Sequence, residues 1–458
     1  MLENTSQTTL PIYPQLLTPL PGPKTKALIE RDTAYISPSY TRGYPLAIAS
    51  GYGAMVTDPD GNRFLDFCAG IAVCATGHSH PEVVRVIKEQ ADKFLHMSGT
   101  DFYYDVMADL AERLAKSAPR TEAEGGEPKK VFFANSGTES LEGAMKLARY
   151  HTKRKKLISF YRSFHGRTYG TMSLTASKSI QKSRFSPLVP DVLHAHYPYF
   201  YRDIFKSATP DDCAEACLDY IENYLFKMVT PPEEVAAFVL ESIQGEGGYV
   251  VPPAKFLVGL QALAKKYGIL IVADEVQSGM GRTGKMWAAE HFGSYEPDII
   301  CSAKGLASGL PLGAIIARSN VMDWPPGTHA TTFGGNPLSC AAALKTMDLL
   351  EGGLMKNATV QGDYLKSRLM PLKDQFDMIG DVRGIGLMLG VEIIKDKASK
   401  EKASALRNQI VDECFEQGLV ILGCGENTIR FSPPLVICQE QVDCAIDIFT
   451  RVLKKHAS

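Results

Sequence analysis

The sequence lacks paired cysteines, and this absence limits the kinds of site it can build. Its ten cysteines include no Cys-x-x-Cys pair, and the closest spacing is Cys213-x-x-x-Cys217. That scatter argues against a zinc knuckle and against a disulfide framework. We therefore expect free thiols in a reducing, cytoplasmic compartment, and no metal or iron–sulfur cluster.

The chain also lacks a dominant charge and a long apolar segment. The formal net charge is -2 over 458 residues, which gives no indication of nucleic-acid or anionic-membrane binding. Near the start there is neither a basic segment nor an unbroken apolar core, so no secretory signal is predicted. The uncharged stretch from Gly305 to Ala317 is too short to cross a bilayer.

Short apolar runs alternate with helical patterns between about residues 130 and 320. Such alternation predicts βαβ units and a mostly parallel sheet with helices on both faces. The carboxyl ends of the strands then lie on one side. The predicted strands are Val131–Ala134, Leu157–Phe160, Val235–Leu240, Ile269–Ala273, Ile299–Cys301 and Leu312–Ala317.

The two ends of the chain do not show this alternation of strand and helix patterns. Residues 1–45 are proline-rich and weakly periodic, which predicts an extended arm or, equally, a loose tail. Residues 58–62 carry a hairpin turn signal. After about residue 340, short strand pairs and two amphipathic helices predict a separate α/β domain. We divide the chain into residues 1–80 (arm and part of a small domain), 81–342 (large domain) and 343–458 (C-terminal small domain).

Two reactive side chains follow neighbouring apolar runs. Lys304 comes just after Ile299–Cys301, and Asp274 ends the run that begins at Ile269. Because ligands bind beyond the carboxyl ends of parallel strands, we expect the amine and the carboxylate to perturb each other there. An amine in such a place can form a Schiff base, and pyridoxal phosphate needs that amine and an acidic partner for its ring nitrogen.

A strand-to-helix junction at residues 135–140 is a candidate phosphate site. Free backbone N–H groups and the helix dipole attract an anion there, and the hydroxyls of Ser136 and Thr138 can add hydrogen bonds. The alternative is a plain helix N-cap, which serine or threonine favours in any case.

Other strand ends carry groups with two interpretations. Phe164 could stack on a planar ring and Arg167 could bind a carboxylate, or they could be a buried aromatic and a solvated cation. Glu241 and Glu246 need a cation if they face a pocket, or they are surface acids in a glycine loop. Arg430 lies on a short apolar strand, where it is either paired or on an edge with its head in water.

The segment Gly279-Met-Gly-Arg-Thr-Gly284 fits G-x-G-x-x-G and offers a nucleotide-binding α/β protein as a distant alternative. Against that alternative, the glycines do not directly follow a strand. Met286 also stands where a P-loop needs the hydroxyl that binds magnesium.

Together, these segments resemble the class III (fold type I) pyridoxal-phosphate aminotransferases, in the 4-aminobutyrate and acetylornithine aminotransferase branch. The resemblance covers the chain from about Ala34 to the C-terminus. Its motifs are Asp66-Phe-Cys-Ala-Gly-Ile71-Ala-Val, Thr76-Gly-His78, Asn135-Ser-Gly-Thr, Phe164-His-Gly-Arg167-Thr, Glu241-x-x-Gln-Gly-Glu246-Gly-Gly, Asp274-Glu-Val-Gln277-Ser-Gly, Ala303-Lys304-Gly, Thr332-Phe-Gly-Gly-Asn-Pro and Ile429-Arg430-Phe.

The resemblance implies a large domain with a mostly parallel seven-stranded sheet between helices, plus a smaller α/β domain from the N- and C-terminal segments. It also implies a homodimer, or a dimer of dimers, whose subunits share the active sites. Lys304 and Asp274 take the catalytic roles. The implied cofactor residues are Ser136, Gly137, Thr138, Phe164, His165, Glu241, Asp274, Gln277 and Lys304, with Thr332 reaching the phosphate of the other subunit.

The same resemblance assigns the substrate pocket. Arg430 would bind the α-carboxylate of glutamate or 2-oxoglutarate, with Glu246 as the gate that pairs with it. Arg167 would bind the distal carboxylate, and Ile71 would line the pocket. The implied reaction is transamination of an ω-amino acid, 4-aminobutyrate-like or acetylornithine-like, with 2-oxoglutarate, giving a semialdehyde and glutamate. The alternative is an amino acid racemase or epimerase of the same family, in which Asp tends to replace Glu246.

Overall fold

The computed structural model describes residues 12–119 and 126–457. The first part of the predicted arm, residues 1–11, lies outside the described residues. The strands are β1 (Ser50–Tyr52), β2 (Met55–Thr57), β3 (Arg63–Asp66), β4 (Lys129–Ala134), β5 (Lys156–Phe160), β6 (Val192–Ala195), β7 (Val235–Leu240), β8 (Leu270–Asp274), β9 (Ile299–Ser302), β10 (Gly313–Arg318), β11 (Ile379–Ile385), β12 (Met388–Ile393), β13 (Leu419–Val420), β14 (Leu422–Cys424) and β15 (Thr428–Phe431).

Helices connect these strands and cover the sheets. Two π-helical stretches, Tyr220–Val229 and Leu350–Leu354, directly follow α7 and α9. The helices are α1 (Pro23–Tyr35), α2 (Ala69–Ala72, a single left-handed turn), α3 (Pro81–Lys93), α4 (Asp105–Ser117), α5 (Gly137–Thr152), α6 (Tyr169–Leu174), α7 (Pro210–Asp219), α8 (Ala254–Tyr267), α9 (Pro337–Leu349), α10 (Met355–Leu369), α11 (Leu372–Gln375), α12 (Ser404–Phe415) and α13 (Gln439–His456).

The largest sheet has seven strands in the order β4-β10-β9-β8-β7-β5-β6. Its parallel pairs are β5/β6, β5/β7, β7/β8 and β8/β9, while β10 runs antiparallel to both of its neighbours. The mostly parallel seven-stranded sheet is therefore confirmed. Because β10 is reversed, its starting end lies beside the carboxyl ends of the other strands.

Both faces of this sheet are buried. Val239 packs with the apolar residues of α5 on one face, and its neighbour Phe238 packs with those of α8 on the other. Side chains alternate between faces along a strand, so a strand covered on both sides reads as a continuous apolar run. This is why β7 could be delimited from the sequence alone.

Two four-stranded sheets complete the fold. One joins N-terminal strands to a C-terminal one, in the order β1-β2-β3-β13, and the other has the order β11-β12-β15-β14. β13 and β14 are separated only by Ile421, yet they belong to different sheets. The domain boundaries at 80/81 and 342/343 stay predictions; residue 342 lies inside α9.

The prediction of an extended arm over residues 1–45 is wrong at Pro23–Tyr35, where α1 forms. Pro23 occupies the first helical position, where its missing N–H costs nothing. The carboxylate of Asp60 accepts hydrogen bonds from the backbone N–H groups of Lys24 and Thr25, at 2.9 and 2.8 Å. Thr25 is the only buried residue of this helix. The helix therefore has no apolar face, and its sequence shows no apolar stripe from which a helix could be predicted.

Among residues 12–119 and 126–457, no helix is long and apolar enough to cross a membrane. The same residues contain no group of three His, Cys, Asp or Glu side chains placed to hold a metal ion. All ten cysteines are unpaired.

Candidate active site

A cavity of about 410 Å³ opens at the carboxyl ends of β4, β5, β7, β8 and β9. The segment before β10, residues 309–312, closes one side of it because that strand is reversed. Ten of the predicted site residues line this cavity: Ser136, Gly137, Thr138, Phe164, His165, Arg167, Glu241, Asp274, Gln277 and Lys304.

Lys304 follows β9 and has a φ of 32°, which is rare for a residue with a side chain. A hydrogen bond from the N–H of Leu306 to the carbonyl of Ala303, at 2.7 Å, closes the tight turn around it. Burial lowers the pKa of the Lys304 ammonium, while the nearby carboxylate of Asp274 opposes this effect. A lysine with a lowered pKa is more readily available as a nucleophilic free amine.

Asp274 ends β8, and both of its carboxylate oxygens have partners. Oδ2 lies 2.7 Å from Nδ1 of His165, and Oδ1 accepts a hydrogen bond of 3.0 Å from the N–H of Val276. The other ring nitrogen of His165, Nε2, is buried and has no hydrogen-bond partner among the described residues. The carboxylate is therefore held in one orientation at the cavity wall.

Glu241, just after β7, fixes two loops of the cavity. Its Oε2 accepts a hydrogen bond from the N–H of Phe164 at 3.1 Å, and its Oε1 accepts one from the N–H of Gly245 at 2.9 Å. Burial raises the pKa of this carboxyl, and the negative charge of Asp274 acts in the same direction. Glu241 thereby positions Phe164, the aromatic ring that lines the cavity.

The start of α5 forms a polar pocket of the cavity. Ser136 is the N-cap and accepts a hydrogen bond from the N–H of Glu139 at 3.3 Å. The hydroxyl of Thr138 lies 2.9 Å from that of Thr168 and 2.7 Å from that of Thr171. The helix N-terminus therefore has the backbone donors and hydroxyls that bind a phosphate.

Glycine is required beside this pocket. A Cβ atom on Gly137 would lie 2.8 Å from Cγ1 of Val276, and one on Gly166 would lie 2.2 Å from Oγ1 of Thr138. Gly166 also has a φ of 142°. A larger residue at either position would force the contacting atoms of Val276 or Thr138 to move.

A second charged cluster contains Arg430 and Glu246. Arg430 lies on β15, between β12 and β14, and it is buried, so the interpretation as an edge-strand arginine is wrong. Its Nη1 is 3.5 Å from Oε2 of Glu246, while Oε1 of Glu246 is 2.7 Å from Nζ of Lys178. Lys178 is not among the site residues predicted from the sequence. It lies in a polar segment 68 residues before Glu246, so no local sequence signal indicates this contact.

Three predicted residues lie at the rim of the cavity or away from it. Ile71 is 48% exposed and belongs to the left-handed turn α2. Thr332 is exposed and does not line the cavity. Arg167 is exposed at the cavity rim, with its guanidinium carbon 5.5 Å from the centre of the Phe164 ring.

Hydrogen bonds to Asp66 stabilise the turn that contains Ile71. Four successive residues, 69–72, have φ between 48° and 68°. Asp66 accepts hydrogen bonds from the N–H groups of Cys68 and Ala69, at 2.8 and 3.0 Å, and its other oxygen lies 2.7 Å from Nε2 of His78. These contacts stabilise a backbone that residues other than glycine disfavour.

The Gly279–Gly284 segment forms no open loop. Arg282 inside it is fully buried and donates from Nη1 to the carbonyls of Leu387 and Pro433. A Cβ atom on Gly281 would lie 2.8 Å from Leu350. The glycines therefore allow close packing against later segments of the chain, and the nucleotide-binding interpretation is wrong.

Comparison with known proteins identifies the family of this chain. A family model described as "Aminotransferase class-III" matches residues 36–453. The chain belongs to the class III aminotransferases. This aminotransferase is 38% identical to the alanine/serine racemase of Pyrococcus horikoshii (96% of this chain, 93% of the relative) and 38% identical to the 4-aminobutyrate aminotransferase of Mycobacterium tuberculosis (96% and 98%). It is 37% identical to the acetylornithine aminotransferase of Methanothermobacter thermautotrophicus (93% and 98%).

Solved structures give the same result. The aminotransferase superposes on an (S)-enantioselective omega-transaminase from Thermomicrobium roseum with a TM-score of 0.86, at 31% identity over 94% of this chain and 98% of the other. It also superposes on a PLP-bound amine transaminase from an uncultivated Pseudomonas species with a TM-score of 0.85, at 29% identity over 92% and 98%. Its fold is that of the fold type I transferases, and its cofactor is pyridoxal phosphate.

The cavity residues fit this cofactor. Two buried polar atoms at the cavity, Nε2 of His165 and Oε1 of Gln277, have no partner within the described part of the chain. The cavity also combines a helix N-terminus for a phosphate, an aromatic ring, a fixed carboxylate and a partly buried lysine. Pyridoxal phosphate calls for such a set of groups.

Proposed function

We propose that this aminotransferase transfers the amino group of an ω-amino acid to 2-oxoglutarate, giving a semialdehyde and glutamate. The pairing of Arg430 with Glu246, whose charges both act on the pKa of Lys304, carries this proposal. One site must bind a substrate carboxylate in one half-reaction and an uncharged methylene in the other. A switchable ion pair meets both needs, because a buried arginine without a partner is costly.

In this proposal the chain's own residues do the following work. Ser136, Gly137 and Thr138 would bind the phosphate, and Phe164 would contact the ring of the cofactor. Asp274, oriented by His165, would stabilise a proton at the ring nitrogen. When bound, pyridoxal phosphate supplies the electron sink that makes a proton on the substrate carbon acidic. Nζ of Lys304 would accept that proton and then donate it in the next step of the reaction.

The donor is tested directly with a panel of amines and 2-oxoglutarate. Formation of glutamate is measured with 4-aminobutyrate, N-acetylornithine, ornithine and lysine, and with alanine as an α-amino control. We expect the highest kcat/KM for an ω-amino donor. An enzyme that forms glutamate only from alanine would contradict the proposal.

A second candidate function is racemisation or epimerisation of an amino acid. It is favoured by the relative from Pyrococcus horikoshii, an alanine/serine racemase that matches nearly the whole chain. The presence of Glu246, where Asp tends to stand in racemases, favours transamination. The two functions separate in a chirality assay without an oxo acid, in which a racemase inverts single enantiomers of alanine or serine.

Replacing Glu246 with alanine tests the gate. Arg430 would lose its carboxylate partner and remain buried, so its charge would face the methylene of an ω-amino donor. We expect kcat/KM for the ω-amino donor to fall by about tenfold or more, and that for glutamate to change much less. Both values come from steady-state assays of the two half-reactions.

The control is Glu426→Ala, which removes an exposed glutamate paired with Lys402. It should leave both half-reactions unchanged. Equal losses with glutamate and with the ω-amino donor in Glu246→Ala would rule out the gate.

Replacing Arg167 with alanine tests the distal carboxylate site. Its guanidinium lies at the rim of the cavity, over the ring of Phe164, where it can bind a carboxylate with two hydrogen bonds. We expect the KM for 2-oxoglutarate to rise by about tenfold with little change for a monocarboxylate acceptor such as pyruvate. Arg184→Ala, at another exposed arginine, is the control, and an unchanged KM in Arg167→Ala would remove Arg167 from the pocket.

We also propose a cytoplasmic homodimer with shared active sites. In support, Phe333 is 58% exposed, next to Thr332, and its ring lies 5.0 Å from that of His96. Further exposed apolar side chains follow in the same region, among them Leu95 and Phe102. A patch of this kind suits a subunit interface, across which Thr332 would reach the phosphate of the second copy. The ten unpaired cysteines suit a reducing compartment.

A further inference from the structure

We infer that Lys178 is a second partner of Glu246, which holds the glutamate when Arg430 binds a substrate carboxylate. Lys178 would then be a positioning residue that determines specificity for dicarboxylates. The inference rests on the proposed function, since it concerns how the gate opens.

Glu246 contacts both cations at the same time, through different oxygens. Oε1 is 2.7 Å from Nζ of Lys178, whereas Oε2 is 3.5 Å from Nη1 of Arg430. The shorter contact is therefore the one with the lysine. The side chains of Arg430 and Glu246 are 8% and 19% exposed, and that of Lys178 is 36% exposed. The three charges form a row that leads from the buried arginine towards solvent.

The backbones at Glu246 and Lys178 are anchored. The carbonyl of Glu246 accepts a hydrogen bond of 2.6 Å from the N–H of Gly425. Lys178 precedes a short turn, and its carbonyl accepts a hydrogen bond of 3.2 Å from the N–H of Gln181. Rotation of the Glu246 side chain is therefore sufficient to exchange one partner for the other, without movement of either loop.

The energetic consequence follows from how charges behave away from water. A carboxylate that leaves its arginine needs another partner if it stays partly buried. Lys178 provides that partner, so it stabilises the open gate. In the closed gate, Glu246 keeps Arg430 even without the lysine. Removal of Lys178 should therefore shift the gate towards the closed state and weaken dicarboxylate binding.

The direct test is the binding of glutarate, a dicarboxylate that cannot react, to the holoenzyme by isothermal titration calorimetry. We expect the Kd to rise about tenfold in Lys178→Met and much less in Lys178→Arg, which keeps the charge. The matched control is Lys182→Met. Lys182 lies on the same segment, but its Nζ donates to the carbonyl of Ser173 at 3.1 Å, so its loss should leave the Kd unchanged.

Kinetics of the same variants give an independent measurement. Lys178→Met should raise the KM for glutamate and for 2-oxoglutarate with little change in kcat, and should leave the ω-amino donor nearly unaffected. This is the opposite of the selectivity expected for Glu246→Ala. A merely structural lysine would affect both half-reactions alike.

The outcomes separate the two proposals. If the wild-type holoenzyme binds no glutarate and does not accept the amino group of glutamate, the proposed function is overturned, and with it the inference. A wild-type enzyme that binds glutarate, with Lys178→Met binding it equally or more tightly, overturns the role of Lys178 alone.

Discussion

The Lys304→Ala holoenzyme is expected to lose its visible absorbance band and at least about 10⁴-fold of its kcat. In the proposed function, the variant removes both the amine that would bind the cofactor covalently and the group that would move the substrate proton, and proton transfer alone contributes about 10² to 10⁴-fold. Lys304 is the only lysine that lines the cavity formed by the described residues. An absorbance spectrum with added cofactor and a single-turnover assay with the best donor measure the two losses.

A suitable control is Lys366→Ala. Lys366 is also partly buried, and its Nζ donates to the carbonyl of Gly384 at 3.0 Å, but it lies on α10. This variant should keep the absorbance band and the activity. A wild-type protein that stays colourless with added cofactor, or a Lys304→Ala enzyme that keeps its activity, would contradict the role of Lys304.

The Asp274→Asn variant is expected to lose about 10³-fold in kcat while it keeps its fold. Asparagine has the size of aspartate, so the cavity and the hydrogen bond from the N–H of Val276 should remain. It carries no negative charge, however, and cannot stabilise a protonated ring nitrogen. Loss of one well-placed electrostatic group in an active site typically costs 10² to 10³-fold. The measurements are kcat and the thermal midpoint.

The chain contains a matched pair for this experiment. Asp323 lies 2.8 Å from Nδ1 of His151, much as Asp274 lies 2.7 Å from Nδ1 of His165, but the first pair is at the surface. Asp323→Asn should leave kcat unchanged. If both variants lost the same activity, the effect would belong to aspartate–histidine pairs in general rather than to the cavity.

Most of the central sheet could be predicted because its strands are buried on both faces. The six predicted runs correspond to β4, β5, β7, β8, β9 and β10. The seventh strand, β6, contains only four residues, with His194 among them, and so presents no apolar run. It lies at the edge of the sheet, where only one neighbour stabilises it. The antiparallel direction of β10 could not be predicted from its apolar pattern, because the direction of a strand depends on the segments that connect it to its neighbours.

The site could be predicted where chemistry coincides with strand ends. Lys304 and Asp274 follow neighbouring strands, and the fold brings both to one cavity as expected. Contacts between distant segments give no such signal. Lys178 and Glu246 lie on different loops that only the folded chain brings together, and a lysine in a polar segment is ordinarily a solvated one.

The left-handed turn that contains Ile71 has a consequence for engineering of the pocket. Each residue other than glycine in this left-handed conformation costs about 1 to 2 kcal/mol, and Ala69, Ile71 and Ala72 all adopt it. A glycine at residue 71 would relieve part of that cost while removing a side chain that the proposal assigns to the pocket. Stability selection at this turn would therefore favour glycine, which under the proposed assignment widens the pocket. Libraries screened first for heat tolerance would drift towards broader donor ranges there.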